Sequence, residues 1–139
     1  MGRILAIDYG KKRTGIAVTD PLRIIATALE TVPSSDLIPF LQQYLLREPV
    51  DEFVVGMPKT LMNQDSETAP LVRKFVDTLK KTFPEKPVHL ADERFTSSIA
   101  RRAMLDGGMK KKDRQVKGNV DKISAVIILQ SFMSDVSRR

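Results

Sequence analysis

Apolar residues in this chain come first as short unbroken runs and later at helical spacing. Ile4-Leu5-Ala6-Ile7 is followed by Asp8-Tyr9-Gly10-Lys11-Lys12-Arg13 and then by Thr14-Gly15-Ile16-Ala17-Val18. Four apolar residues in a row bounded by Gly suit a strand covered on both faces. This stretch therefore predicts a strand, a tight turn and a second strand returning beside it. After the turn Thr19-Asp20-Pro21-Leu22, the β-branched and partly alternating run Arg23 to Val32 predicts a third strand, giving an antiparallel meander.

Helical spacing begins next. Ser34-Ser35-Asp36 offers an N-cap, Pro39 falls in the first turn, and Leu37, Ile38, Leu41, Tyr44 and Leu45 form an apolar stripe ending near Arg47. Glu52 to Gly56 predicts a fourth strand, closed by Met57-Pro58. A polar loop from Lys59 to Ser66 leads to a second helix with the stripe Leu71, Val72, Phe75, Val76 and Leu79, ended by Pro84 and Pro87. Val88 to Ala91 predicts the fifth strand, with Asp92-Glu93-Arg94 at its C-terminal end. Thr96 or Ser97 caps a third helix that runs through Leu105 to Gly107-Gly108. A basic stretch from Met109 to Asn119 precedes a final helix from Asp121 to about Ser137, apolar over Ala125 to Leu129 and expected to be largely buried.

Right-handed crossovers between successive strand, helix and strand units make the first, fourth and fifth strands parallel. The expected fold is therefore α/β: a mixed five-stranded sheet, antiparallel through strands 1 to 3 and parallel through strands 1, 4 and 5, flanked by helices. A length of 139 residues fits one domain spanning residues 1–139.

Composition narrows the chemistry. With no Cys there is no disulfide framework, thiolate zinc site or cysteine nucleophile, and a reducing cytoplasm is expected. No hydrophobic stretch resembles a signal peptide or a membrane span, so no membrane partner is expected. A net charge of +6, from 23 Lys and Arg against 17 Asp and Glu, favours polyanionic partners. The single His, His89, lies on a predicted strand and is read as structural.

Asp8 follows an apolar strand, which carries it to the C-terminal sheet edge where open α/β sheets place their ligands. Asp92 and Glu93 compete for the inward position after the fifth strand, because successive strand residues face opposite ways. Asp121 opens the final helix, where it also serves as an N-cap. Three convergent carboxylates without thiolate or nearby His would make a hard, all-oxygen site suited to Mg²⁺ or Mn²⁺. Such a site fits phosphodiester hydrolysis with one or two ions. Cations stand beside each acid: Lys11, Lys12 and Arg13 near Asp8; Arg94 by Glu93, with Arg101 and Arg102 on the third helix; and Lys110, Lys111, Lys112, Arg114 and Lys117 before Asp121. Basic neighbours are what a phosphate backbone crossing the site requires.

Several motifs occur in order along nearly the whole chain: Asp8-Tyr9-Gly10 with Lys12-Arg13-Thr14-Gly15-Ile16-Ala17-Val18; Val55-Gly56-Met57-Pro58; Asp92-Glu93-Arg94; and Val120-Asp121-Lys122-Ile123-Ser124-Ala125-Val126-Ile127-Ile128-Leu129. Together they resemble the YqgF/RuvX family. The resemblance implies a ribonuclease H-like (RNase H-like) nuclease domain, with Asp8, Glu93 and Asp121 as catalytic, metal-binding acids, and it favours Glu93 over Asp92. It also implies a nucleic-acid substrate: the 5′ end of the small-subunit ribosomal RNA precursor, or alternatively a branched DNA of the Holliday junction kind. The protein would act as a monomer or a homodimer. Met57 stands where the family usually has Leu, and Ser124 stands where related resolvases often carry a second acid on the last helix.

Two other functions compete. Actin-like and sugar-kinase folds also open with a strand, Asp-x-Gly and a hairpin, but they close two such domains on a nucleotide, and no Walker-type loop is present here. A non-catalytic nucleic-acid-binding assembly factor could retain the fold, against which stand the three acids.

Overall fold

The structure is a computed structural model that describes residues 2–57, 69–92 and 117–137, with 92, 117–122 and 134–137 described by backbone alone. Its strands are β1 (Arg3–Tyr9), β2 (Arg13–Thr19), β3 (Ala26–Pro33), β4 (Val50–Met57) and β5 (Val88–Asp92). Its helices are α1 (Leu37–Arg47), α2 (Ala69–Thr82) and α3 (Lys117–Ser137), with a 3₁₀ turn at Ser34–Asp36 leading into α1. The expected third helix, 96–105, and the loop 59–66 lie outside the described residues.

The strands form one sheet in the order β3-β2-β1-β4-β5. β1 is antiparallel to β2 and parallel to β4, β2 is antiparallel to β3, and β4 is parallel to β5. This is the mixed sheet expected from the order of the elements. The apolar runs of β1 and β4 are explained by their central position, since helices cover both faces. On one face Leu5, Ile7, Ile16, Phe53 and Val55 pack with Leu37 and Leu41 of α1 and Val72, Phe75, Val76 and Leu79 of α2. On the other, Ile4, Ala6, Ala17 and Val54 pack with Ala125, Ile128 and Leu129 of α3.

Four local expectations are corrected. β3 begins at Ala26, not Arg23, because Arg23 takes a φ of 60°, a left-handed conformation no strand accommodates. Ile24 and Ile25 are exposed and their amides donate to Asp20 Oδ1, both at 2.7 Å, so a carboxylate organises what reads as strand. Leu71 is exposed and Ala69 takes its place in the buried stripe of α2, one turn before Val72. No side chain caps α1: Ser34 spends its hydroxyl on the β1–β2 turn. Finally, α3 starts at Lys117, so Asp121 lies in its second turn and is not an N-cap. Gly118 and Asn119, poor formers in a helix interior, fall in the first turn, where several backbone N–H groups have no intrahelical partner in any case.

A candidate acidic edge at the end of the parallel strands

Because β1, β4 and β5 are parallel, their C-terminal ends share one edge. β1 continues through Asp8 to Tyr9, two residues further than its apolar run. Asp8 pairs with Gly15 across β2. Ile4 and Ala6 face α3, and strand alternation puts the half-buried Asp8 on that same face. The register pairs Ile7 with Val55 and Gly56 with Ala91, so one further step sets Gly56 beside Asp8. The residues directly in register with Asp8, Gly15 of β2 and Gly56 of β4, with Ala91 of β5 next to Gly56, carry nothing larger than a methyl group. Gly56 and Ala91 escaped notice as residues that shape the site, because only the register reveals them.

The turn after Asp8 is rigidly built. A Cβ at Gly10 would collide with the carbonyl oxygen of Arg13, so only glycine fits this close approach. Ser34 Oγ donates to the Gly10 carbonyl at 2.5 Å and therefore accepts from Thr14 Oγ1 at 2.9 Å, while the Ser34 amide donates to Lys12 O at 2.9 Å. These bonds leave Lys11 and Lys12 projecting in the turn and Arg13 exposed at the start of β2.

The other expected residues are distributed as follows. Asp121 and Lys117 lie on α3, whose residues Ser124 and Ala125, one turn beyond Asp121, are buried against the sheet. Glu93, Arg94, Arg101, Arg102, Lys110, Lys111, Lys112 and Arg114 lie outside the described residues. Among the described side chains, which include Asp8 alone of the three acids, no group of three His, Cys, Asp or Glu could hold a metal ion. His89 binds Glu52 Oε1 through Nε2 at 3.0 Å and packs on Phe132 with 4.9 Å between ring centroids.

Charge at the opposite end of the sheet is paired. Arg23 bridges to Asp51 at 2.8 Å and to Glu52 at 3.0 Å, and Arg3 to Glu48 at 3.3 Å. The Ile25 amide, with those of Ile24 and Leu22, holds the Asp20 carboxyl below its ordinary value against the opposing effect of desolvation. The Gly2 amide and the Arg23 guanidinium do the same for Asp51. Burial pushes the Tyr44 hydroxyl up.

A sheet of this order and strand sense, with an acid at the C-terminal end of its first strand and helices on both faces, defines a ribonuclease H-like domain. A solved chain described as T. thermophilus RuvC in complex with Holliday junction substrate has the same fold, with a TM-score of 0.57, 14% identity, and 99% of this chain and 97% of that one covered. The family model described as RuvX: Holliday junction resolvase matches residues 2–135, and the chain belongs to this family of nucleases. A relative from Phocaeicola vulgatus, named "Putative pre-16S rRNA nuclease", is 58% identical over 133 residues, covering 96% of each chain. Relatives of the same name from Parabacteroides distasonis, 58% identical over 96% of this chain and 95% of its own, and Porphyromonas gingivalis, 51% identical over 99% and 100%, agree along almost their whole lengths. Among the described residues no helix is long and apolar enough to cross a membrane.

Proposed function

We propose that this protein is a divalent-metal-dependent nuclease of the cytoplasm that hydrolyses phosphodiester bonds of structured nucleic acid, processing the 5′ end of the 16S ribosomal RNA precursor. The observation that carries the reading is the position of Asp8: at the C-terminal end of a central parallel strand, facing α3, beside Gly56 and Ala91. The names of the relatives support the substrate.

The donor set suits the ion. Asp8 is a carboxylate with small neighbours on its face, Glu93 stands two positions beyond Ala91 in the chain, and Asp121 stands one turn before the buried Ala125 of α3. These three would hold Mg²⁺ or Mn²⁺, one ion or two, through oxygen alone. When bound, such an ion supplies Lewis acidity that activates water and offsets charge on the leaving oxygen. The chain's own part is to hold three acids whose mutual repulsion a cation relieves. Lys11, Lys12 and Arg13, next to Asp8, would take the phosphates flanking the cut, and the cations from Arg94 to Lys117 would extend that contact. One domain, residues 1–139, performs the whole reaction as monomer or homodimer.

A four-way DNA junction is the second substrate to consider, favoured by the description of the family model. Both readings are tested by incubating the protein with Mn²⁺ and either an RNA carrying the precursor's 5′ extension or a four-way junction, with Asp8→Asn as control. Cleavage of the RNA by the wild type and none by Asp8→Asn is expected. Equal cleavage by both proteins would remove Asp8 from the site, and cleavage of the junction alone would make DNA the substrate.

A further inference from the structure

α2 lies between two parallel strands in the chain and so runs back against them, bringing its first residues to the edge that carries Asp8. Two ring contacts confirm this direction: Tyr9, at the end of β1, stacks on Phe75 at 4.6 Å, while Phe83, just past α2, packs on Phe53 near the start of β4 at 5.4 Å. One face of α2 is buried through Val72, Phe75, Val76 and Leu79, and the other exposes Arg73, Lys74, Asp77, Lys80 and Lys81. That exposed face carries four cations against one acid.

Its pattern is not what helix stability alone would select. Lys80 and Lys81 stand in the last turn, where the helix dipole favours positive charge. Arg73 and Lys74 stand in the second turn, beyond the last-turn region where the dipole favours positive charge, so the dipole does not account for them. Among the described residues, Lys74, Lys80 and Lys81 form no ion pair, even though Asp77 lies within one turn of each. Three lysines thus keep their charge available to an external anion. Lys74 and Lys81 are seven residues apart, two turns on one side of the helix. Their separation along the axis is about 10.5 Å, roughly three base steps of 3.4 Å along one strand of a duplex.

We propose that the exposed face of α2 is a phosphate-backbone docking surface, continuous with the Lys11-Lys12 turn, that holds the nucleic acid flanking the cut. The Tyr9–Phe75 stack joins the two parts: Lys11 and Lys12 follow Tyr9 by two and three residues, and Lys74 precedes Phe75. Substrate at Asp8 would cross the sheet edge over the turn and continue along α2. The inference rests on the nuclease reading for the identity of the polyanion.

The experiment measures binding, not cleavage, so the two readings can fail separately. In an Asp8→Asn background with chelator, the affinity of a fluorescent RNA hairpin with its 5′ flank is followed against salt, with a four-way junction as a second arm. Lys80→Glu with Lys81→Glu should weaken binding about tenfold or more and reduce the slope of log affinity against log salt by about 2, one for each phosphate that the lysines no longer neutralise. Lys74→Glu should weaken binding while leaving the melting temperature near the parent's, because Lys74 is exposed and lies beyond the first turn of α2. Arg47→Glu, on α1, should leave affinity and slope near the parent's. Unchanged affinity in the α2 variants, or an equal loss from Arg47→Glu, would overturn the docking surface and leave the nuclease standing. Failure of the parent to bind either nucleic acid would overturn both.

Discussion

Tyr9 at the end of β1 and Phe75 in the middle of α2 lie ring on ring, 4.6 Å between centroids and 13° from parallel. The contact ties the residue after Asp8 to the helix packed on the opposite face of the sheet, so the acid's position depends on a core that the acid itself does not touch. Phe75→Ala should destabilise the fold by about 3–5 kcal/mol, whereas Phe75→Leu, which keeps most of the volume, should cost less than about 1.5 kcal/mol. Urea denaturation of the two variants checks this. Equal and small losses would mean that the stack does not anchor the end of β1.

Ser34 makes a second anchor. Its hydroxyl satisfies the Gly10 carbonyl and receives Thr14, so Ser34→Ala leaves a turn carbonyl and a buried threonine hydroxyl without partners. A loss of about 1–3 kcal/mol is expected. Substrate affinity should fall as well, because the bonds fix the turn bearing Lys11 and Lys12. Melting and RNA-binding measurements on the same variant check both, and a destabilised variant with unchanged affinity would separate the turn's order from its role in binding.

The sheet was legible because β1 and β4 are buried on both faces and announce themselves as unbroken apolar runs, and because the order of strands and helices leaves one right-handed way to close them. What misled was local and polar. Ile24 and Ile25 have the composition of a strand, but the Asp20 carboxylate draws their amides into the preceding turn. Ser34 has the composition of a cap, yet its hydroxyl is taken by Gly10, which is distant in the chain and near only in the fold. Leu71 satisfies the helical period as well as Ala69 does, and the choice between them depends on how α2 rolls on β1 and β4. At the candidate site, the position of Asp8 followed from one strand. The small residues in register with it, Gly56 and Ala91, are a cross-strand relation that no single stretch displays.

Acid should loosen the end of the sheet remote from Asp8. The carboxyls of Asp20 and Asp51 are held below their ordinary value of 3.8, the first chiefly by the Ile25 amide and the second chiefly by the Gly2 amide. A depressed folded-state value means that each contributes stability fully above the unfolded-state value and loses it as pH falls below about 3.8 through the folded value. Thermal melts from pH 6 to pH 2 should therefore show a decline in this low range that is shallower in Asp20→Asn and in Asp51→Asn. A profile in both variants parallel to that of the parent would deny these two groups a part in acid unfolding.

Metal should act on stability as well as on catalysis, and this offers a test independent of any substrate. An ion that binds the folded chain and not the unfolded one stabilises it by mass action, about 2.7 kcal/mol at a hundredfold excess over the dissociation constant. If Asp8, Glu93 and Asp121 hold the ion, Mn²⁺ should raise the melting temperature of the parent protein, and Asp8→Asn should abolish most of that rise. The rise should shrink as pH is lowered toward the carboxylate range, because only the ionised acids bind. Differential scanning fluorimetry with and without Mn²⁺ decides the matter: a rise of the same size in Asp8→Asn would place the ion elsewhere on the protein.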